Sequence, residues 1–176
     1  FMALLPILRF PDPRLHRKAA AVATVDAGIR KLIDDMAETM YAAPGVGLAA
    51  TQIGEMFRLF VMDVASKDEP SDFRVFINPE IVARDGEVVW EEGCLSFPGV
   101  HEEIERSYKV RLKALDQQGR PFEFEGEDLT AVAIQHEMDH LDGVLLIDRV
   151  SPLKRKLILK HMQKLAEEEG RQAAVG

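Results

Sequence analysis

His136-Glu137-Met138-Asp139-His140 sets two imidazoles four residues apart, with a carboxylate next to the first. On a helix, residues four apart lie one turn apart on one face, so both imidazoles reach a single cation. Leu129, Val132 and Ala133 run into the same stripe. That turns the histidines toward the core, where a metal is shielded. Glu137 is offset by about 100° around the helix, so it stands beside the cation rather than on it. There it can take a proton from water and later return it. With five histidines in 176 residues, chance produces this pattern on the order of one or two per cent of the time. The chemistry indicated is metal-assisted hydrolysis.

A catalytic metal needs a third protein ligand and an open position. Extension of the motif to a third histidine fails, because Gly143 is in place but Leu146 stands where that histidine would fall. Glu167, Glu168 and Glu169 offer carboxylates from a later helix, although consecutive acids at a helix end suit a solvated face. Cys94, in Glu91-Glu92-Gly93-Cys94-Leu95-Ser96-Phe97-Pro98-Gly99, is the other candidate. A lone cysteine is more often a small buried apolar residue than a ligand. This one follows a glycine, precedes a proline-ended turn and has carboxylates nearby, an odd setting for core packing. Spacing leaves both options open.

The elements that must carry these residues follow from periodicity. Ile29, Leu32, Ile33, Met36 and Met40 form one stripe of an amphipathic helix over 26–41, stopped by Ala43-Pro44-Gly45. Strands are expected over 57–64, 73–77, 81–84 and 87–90, the last two joined as a hairpin at Asp85-Gly86. Tyr108, Val110, Leu112 and Ala114 alternate with Lys109, Arg111 and Lys113, a strand with one wet face. A turn at 116–119 leads into Phe122 and Phe124. The motif helix spans 128–141 and is closed by Gly143. A short strand over 144–147 precedes a last helix over 152–169, opened by Pro152. Strands clustered between helices, rather than alternating with them, predict an α+β fold. Its mainly antiparallel strands pack around the motif helix, with one helix before and one after.

Composition bounds the rest. Of 176 residues, 47% are apolar and 30% charged, the formal net charge is −8, and there is one cysteine. That suits a single domain over 1–176, which buries roughly 70% of its unfolded surface. One cysteine excludes a disulfide framework, and the apolar content excludes a disordered chain. The acidic balance argues against DNA binding. No stretch approaches the ~20 apolar residues of a membrane span, and the opening FMALLPILRF lacks the form of an export signal. Met2 reads as the natural start after Phe1, and the expected location is the cytoplasm.

Three blocks, taken together, resemble the bacterial peptide deformylases. They are Gly45-Val46-Gly47-Leu48-Ala49-Ala50-Thr51-Gln52, Glu92-Gly93-Cys94-Leu95-Ser96 and Gln135-His136-Glu137-Met138-Asp139-His140. The likeness runs from about residue 5 to 165. It implies removal of the N-formyl group from the initiator methionine of N-formylmethionyl peptides, releasing formate. It implies that Cys94, His136 and His140 hold one divalent metal, usually Fe²⁺, while Zn²⁺, Ni²⁺ or Co²⁺ suits the same donors. Glu137 would be the general acid/base, and the Gln52 amide and Leu95 backbone N–H would stabilise the oxyanion. Gly45 and Gly47 leave backbone open for an extended peptide to pair as an added strand. Val46, Trp90, Leu129, Val132 and Ala133 would line the methionine pocket. The likeness departs at His101, where some family members carry an arginine, and no catalytic role is carried onto it.

Residues 151–166 hold five Lys/Arg and no acids. Lys156, Lys160 and Lys164 form a basic stripe, and Ile158, Met162 and Leu165 another arc. By resemblance, such a C-terminal helix (about 151–170) docks on the ribosome near the exit tunnel, its lysines facing RNA phosphates. Two rival readings are an endopeptidase using a distal glutamate and a non-enzymatic module with a structural metal.

Overall fold

A computed structural model describes residues 3–175, so Phe1 and the Met2 start lie outside the described residues. Helix α1 (Ala27–Ala42) begins where the Asp26 carboxylate accepts the Ile29 N–H, a side-chain N-cap. Strands β1 (Gly47–Ala49), β2 (Leu59–Met62) and β3 (Arg74–Asp85) follow, then β4 (Val88–Cys94), β5 (Phe97–Arg106), β6 (Lys109–Leu115) and β7 (Pro121–Glu127). Helix α2 (Leu129–Leu141) carries the histidine motif, and α3 (Pro152–Val175) closes the described chain. A five-stranded sheet has the order β1-β2-β3-β6-β7, and β4 with β5 makes a separate two-stranded ribbon. Every strand pair is antiparallel.

The two faces of β2 set the layering. Leu59 and Val61 pack with Ile33, Met36 and Met40 of α1. Phe60 and Met62 pack with Ala131 and Ile134 of α2 on the other face. All four residues of β2 are buried, which is why its sequence is an unbroken apolar run rather than an alternation. The motif helix is thereby held on one face of the sheet and α1 on the other. A third cluster, with Phe97, Val100 and Ile104 of β5 against Ile158 and Met162, seats α3. Gly143 ends the α2 corner at φ +74°, and a Cβ there would lie 2.4 Å from the His16 carbonyl oxygen. Only glycine suits both demands.

Several expectations change. Asp85-Gly86 is a corner and not a hairpin: β3 pairs with β6 through Asp85, while β4 pairs with β5. A turn signal shows where the chain reverses but not which strand takes the pairing, and the tight Leu95-Ser96 turn delivers β5 to β4. The strands expected over 73–77 and 81–84 are one, interrupted by register shifts around Asn78-Pro79. Strand β5 escapes the sequence reading because His101, Glu102, Glu103 and Glu105 break its apolar pattern. Residues 144–147 form no strand; a 3₁₀ turn, Leu146–Asp148, stands there, the Asp148 carboxylate accepting the Leu145 N–H at 2.8 Å.

Phe60 stacks on Phe76 with centroids 5.0 Å apart and is fully buried. Phe60→Ala is expected to lower the unfolding free energy by about 3–5 kcal/mol in a urea titration. A loss under about 1 kcal/mol would mean that the α2 face collapses to fill the void.

Candidate active site

Cys94 ends β4, just before the Leu95-Ser96 turn into β5. Its Sγ lies 3.3 Å from His140 Nε2. One donor atom from each of Cys94, His136 and His140 falls within 4.8 Å of the others. His136 Nδ1 donates to Glu92 Oε1 at 2.9 Å, so its Nε2 is the nitrogen left for the centre. Burial pushes the His140 imidazole well below its ordinary value, into the neutral form that a ligand needs. For His136 burial also opposes charge, but Cys94 and Glu92 beside it raise its pKa well above the ordinary value. A cation among the three donors would supply the positive charge that Cys94 and Glu92 favour beside His136. One sulfur and two imidazole nitrogens are a donor set that fits a divalent transition metal.

Glu137 sits behind this centre, 3% exposed, with Oε1 buried and without a hydrogen-bond partner among the described residues. Burial pushes its carboxyl up to about 7, near the value at which a group both takes and returns protons at neutral pH. A Cβ on Gly47 would lie 2.5 Å from Glu137 Oε2, and one on Gly45 would lie 2.8 Å from Leu95 Cδ1. These two glycines let β1 and the chain before it close directly onto the site. The Gln52 Oε1 accepts the Ala49 N–H at 3.0 Å. That fixes which way the amide faces. Its Nε2 is left to donate to Ser96 Oγ at 3.1 Å and to approach Cys94 Sγ at 3.8 Å.

A cavity of about 850 Å³ opens onto these groups. Its lining includes Gly45, Val46, Gly47, Gln52, Trp90, Cys94, Leu95, Leu129, Val132, Ala133, His136 and Glu137. His140 lies behind the wall, 1% exposed. Val46 is half exposed at the mouth, while Val132 and Ala133 are buried. His101 faces the cavity from β5, opposite Gly93. Glu167, Glu168 and Glu169 are exposed on α3 and stand apart from the three converging donors.

The sequence reading missed the support behind Cys94, His136 and His140. Arg106 donates from Nε and Nη2 to both oxygens of Glu92, at 2.8 and 2.9 Å, and from Nη1 to Asp139 at 2.6 Å. Burial opposes charge on Glu92, yet hydrogen bonds from Arg106 and His136 hold its carboxyl below the usual range. Arg149 meets Asp139 from outside at 2.7 Å. The available signal was Glu92, a carboxylate two residues before the lone cysteine. Its arginine is fourteen residues on and visible only once β4 and β5 pair. Also missed was the arm before α1: Leu5, Ile7 and Arg9 line the cavity, held by Leu8 N–H to Gln52 O at 2.7 Å and Phe10 N–H to Ser96 O at 3.0 Å.

Arg106→Ala leaves a buried carboxylate unpaired and is expected to cost about 3–5 kcal/mol in chemical denaturation. Arg149, whose side chain is 46% exposed, should lose under about 1 kcal/mol on the same change. Equal losses would show that Glu92 is not desolvated.

Known proteins share this sequence and fold. The model of the polypeptide deformylase family matches residues 4–156. The peptide deformylase of Azotobacter vinelandii is 56% identical over 171 residues, covering 96% of this chain and 100% of the relative. That of Alkalilimnicola ehrlichii is 53% identical over 167 residues, covering 95% and 93%. The crystal structure of a peptide deformylase from Legionella pneumophila superposes with a TM-score of 0.89 at 46% identity, over 96% of this chain and 99% of that one. The Ehrlichia chaffeensis peptide deformylase in complex with actinonin gives 0.88 at 38% identity, over 93% and 98%. With its matched residues spanning the arm, both sheets and the histidine helix, the chain belongs to the polypeptide deformylase family.

Proposed function

We propose that this chain, acting as a single catalytic domain, removes the N-formyl group from the initiator methionine of nascent polypeptides and releases formate. The observation that carries the reading is the convergence of Cys94, His136 and His140 beside a buried carboxyl with an unpartnered oxygen. Both sit at the end of a cavity whose walls are largely apolar. In this reading the three residues hold one divalent ion, Fe²⁺ first, with Zn²⁺, Ni²⁺ or Co²⁺ accepted by the same donors. Such an ion supplies Lewis-acid activation of water near neutral pH.

The chain's own residues do the rest. Glu137 takes a proton from the attacking water and returns it to the departing amine. The Gln52 Nε2–H and the Leu95 backbone N–H stabilise negative charge on the formyl oxygen; losing one such donor costs about 3 kcal/mol of barrier. The orientation of the Gln52 amide by the Ala49 N–H supports that role. Val46, Trp90, Leu129, Val132 and Ala133 enclose an unbranched thioether, which needs an apolar, shape-filling pocket. The edge position of β1, with β2 on one side, supports pairing of an extended peptide along Gly45 and Gly47.

Formate release from a formyl-Met peptide by anaerobically prepared protein tests the mechanism alongside elemental analysis. Glu137→Gln should keep the metal and lose turnover by about 10²–10⁴-fold, whereas Cys94→Ala should lose the metal. Full turnover in Glu137→Gln, or undiminished metal in Cys94→Ala, would sink the assignment.

We also infer that the chain works in the cytoplasm and that α3 docks on the ribosome near the exit tunnel. No helix among the described residues is long and apolar enough to cross a membrane. Ile158 and Met162 are turned into the core, while Lys156, Lys160 and Lys164 are exposed, beside Leu153 at 69% and Leu157 at 58% exposure. Charge reversal of the three lysines should weaken ribosome co-sedimentation, and added salt should weaken it for the unsubstituted protein. Unchanged sedimentation of the reversed variant would remove the idea.

A further inference from the structure

We propose that His161 and Glu169 of α3 are positioning residues for the part of the peptide beyond its first methionine, an inference that rests on the deformylase reading. One wall of the cavity is built from two stretches of chain distant in sequence. The arm supplies Ile7 and Arg9, and the start of β5 supplies Pro98, Gly99 and His101. The two are joined by the Phe10 N–H to Ser96 O bond and by Phe10 stacked on Phe97 at 5.2 Å.

Helix α3 braces this wall from behind. Its Lys154 meets Glu102 at 3.3 Å, His161 Nε2 lies 3.0 Å from the Pro98 carbonyl oxygen, and Glu169 pairs with Arg9. A carbonyl oxygen accepts, so His161 carries its proton on Nε2 and donates it. Residues 154, 161 and 169 are about two turns apart and share one face. The same face carries Ile158, Met162 and Leu165 into the core. The helix is therefore seated by apolar contacts, and two of its polar contacts, at Pro98 and Arg9, fall on residues that line the cavity, while Lys154 meets Glu102 next to the lining His101.

The wall needs this bracing where it is thinnest. Gly99 has φ +79°, and a Cβ there would lie 3.2 Å from His161 Nε2, so no side chain anchors the segment at that point. Pro98 has no N–H to pair. The wall differs in chemistry from the methionine pocket of α2: it presents a guanidinium, an imidazole and backbone. These are groups that suit a peptide main chain crossing the rim. Freeing the Pro98 carbonyl from His161 leaves the wall in place on average but broadens its positions, which weakens binding of whatever lies along it and leaves the reacting groups untouched.

The test compares kcat and KM for a formyl-Met dipeptide and a formyl-Met pentapeptide. Loss of one hydrogen bond in His161→Ala should raise the pentapeptide KM about fivefold, with kcat and the dipeptide KM within about twofold. Glu169→Ala should act in the same direction. His161→Gln, whose Nε2 can still donate, should restore the pentapeptide KM. An unchanged pentapeptide KM, an equal rise for both peptides, or failure of His161→Gln to restore it overturns the assignment. Absence of formate from either peptide with the unsubstituted protein overturns the deformylase reading itself, and this inference with it.

Discussion

Arg106 is the residue on which the rest of the site depends. Its guanidinium, 5% exposed as a side chain, reaches Glu92 on β4 and Asp139 on α2 at once. It thereby ties the ribbon that carries Cys94 to the helix that carries both histidines. These elements share no strand pairing, so nothing in the sheet fixes their separation. A buried arginine between two carboxylates does so, because planar bidentate geometry allows little play. The chain continues from Glu92 to His136 Nδ1, which sets the ring orientation and leaves the other nitrogen for the centre. Stability is not the natural explanation of such a buried network, since apolar replacements are often as stable. Geometry is.

The sheet supplies the complementary constraint. β2 is buried on both faces, so α1 and α2 sit on opposite sides of one strand and cannot slide without exposing Leu59 and Val61 or Phe60 and Met62. The turn after β1 then brings Gln52 under Cys94 and Ser96. The groups at the centre thus come from three places, the turn after β1, the end of β4 and helix α2, and each is pinned by a contact some distance from the chemistry.

How much of this was legible from residues alone divides along physical lines. Helices α1 and α2 have regular 3.6-residue stripes and local stop signals, and their bounds agree with the expectation within a residue or so. The alternation of β6 was equally plain, with Val110, Leu112 and Ala114 buried. β5 was hidden because its wet face carries acids in place of ordinary polar residues, and its buried positions include Arg106. The pairing of β4 was misassigned because turn chemistry is local and pairing is not. Within the site, the histidines and Glu137 announce themselves by spacing. Cys94 required the resemblance, and Arg106 and the arm required the fold, since their contacts span from fourteen residues to nearly half the chain.

The glycines show why absence of a side chain is as specific as its presence. At Gly47 a methyl would lie 2.5 Å from a Glu137 oxygen, and at Gly45 another would enter Leu95. Edge strand β1 is therefore drawn up against the Glu137 carboxyl, and backbone stands where other walls of the cavity present side chains. A peptide laid along that edge can be recognised by main-chain hydrogen bonds whatever its later residues are. In the proposed function, selectivity would then fall on the apolar pocket at α2, which would see only the first side chain. Such a division suits an enzyme that must accept many proteins sharing one N-terminal residue. It also accounts for the burial of Glu137: a carboxyl with water around it would ionise in the ordinary acid range, whereas this one, sealed behind glycine backbone, is held up to about 7.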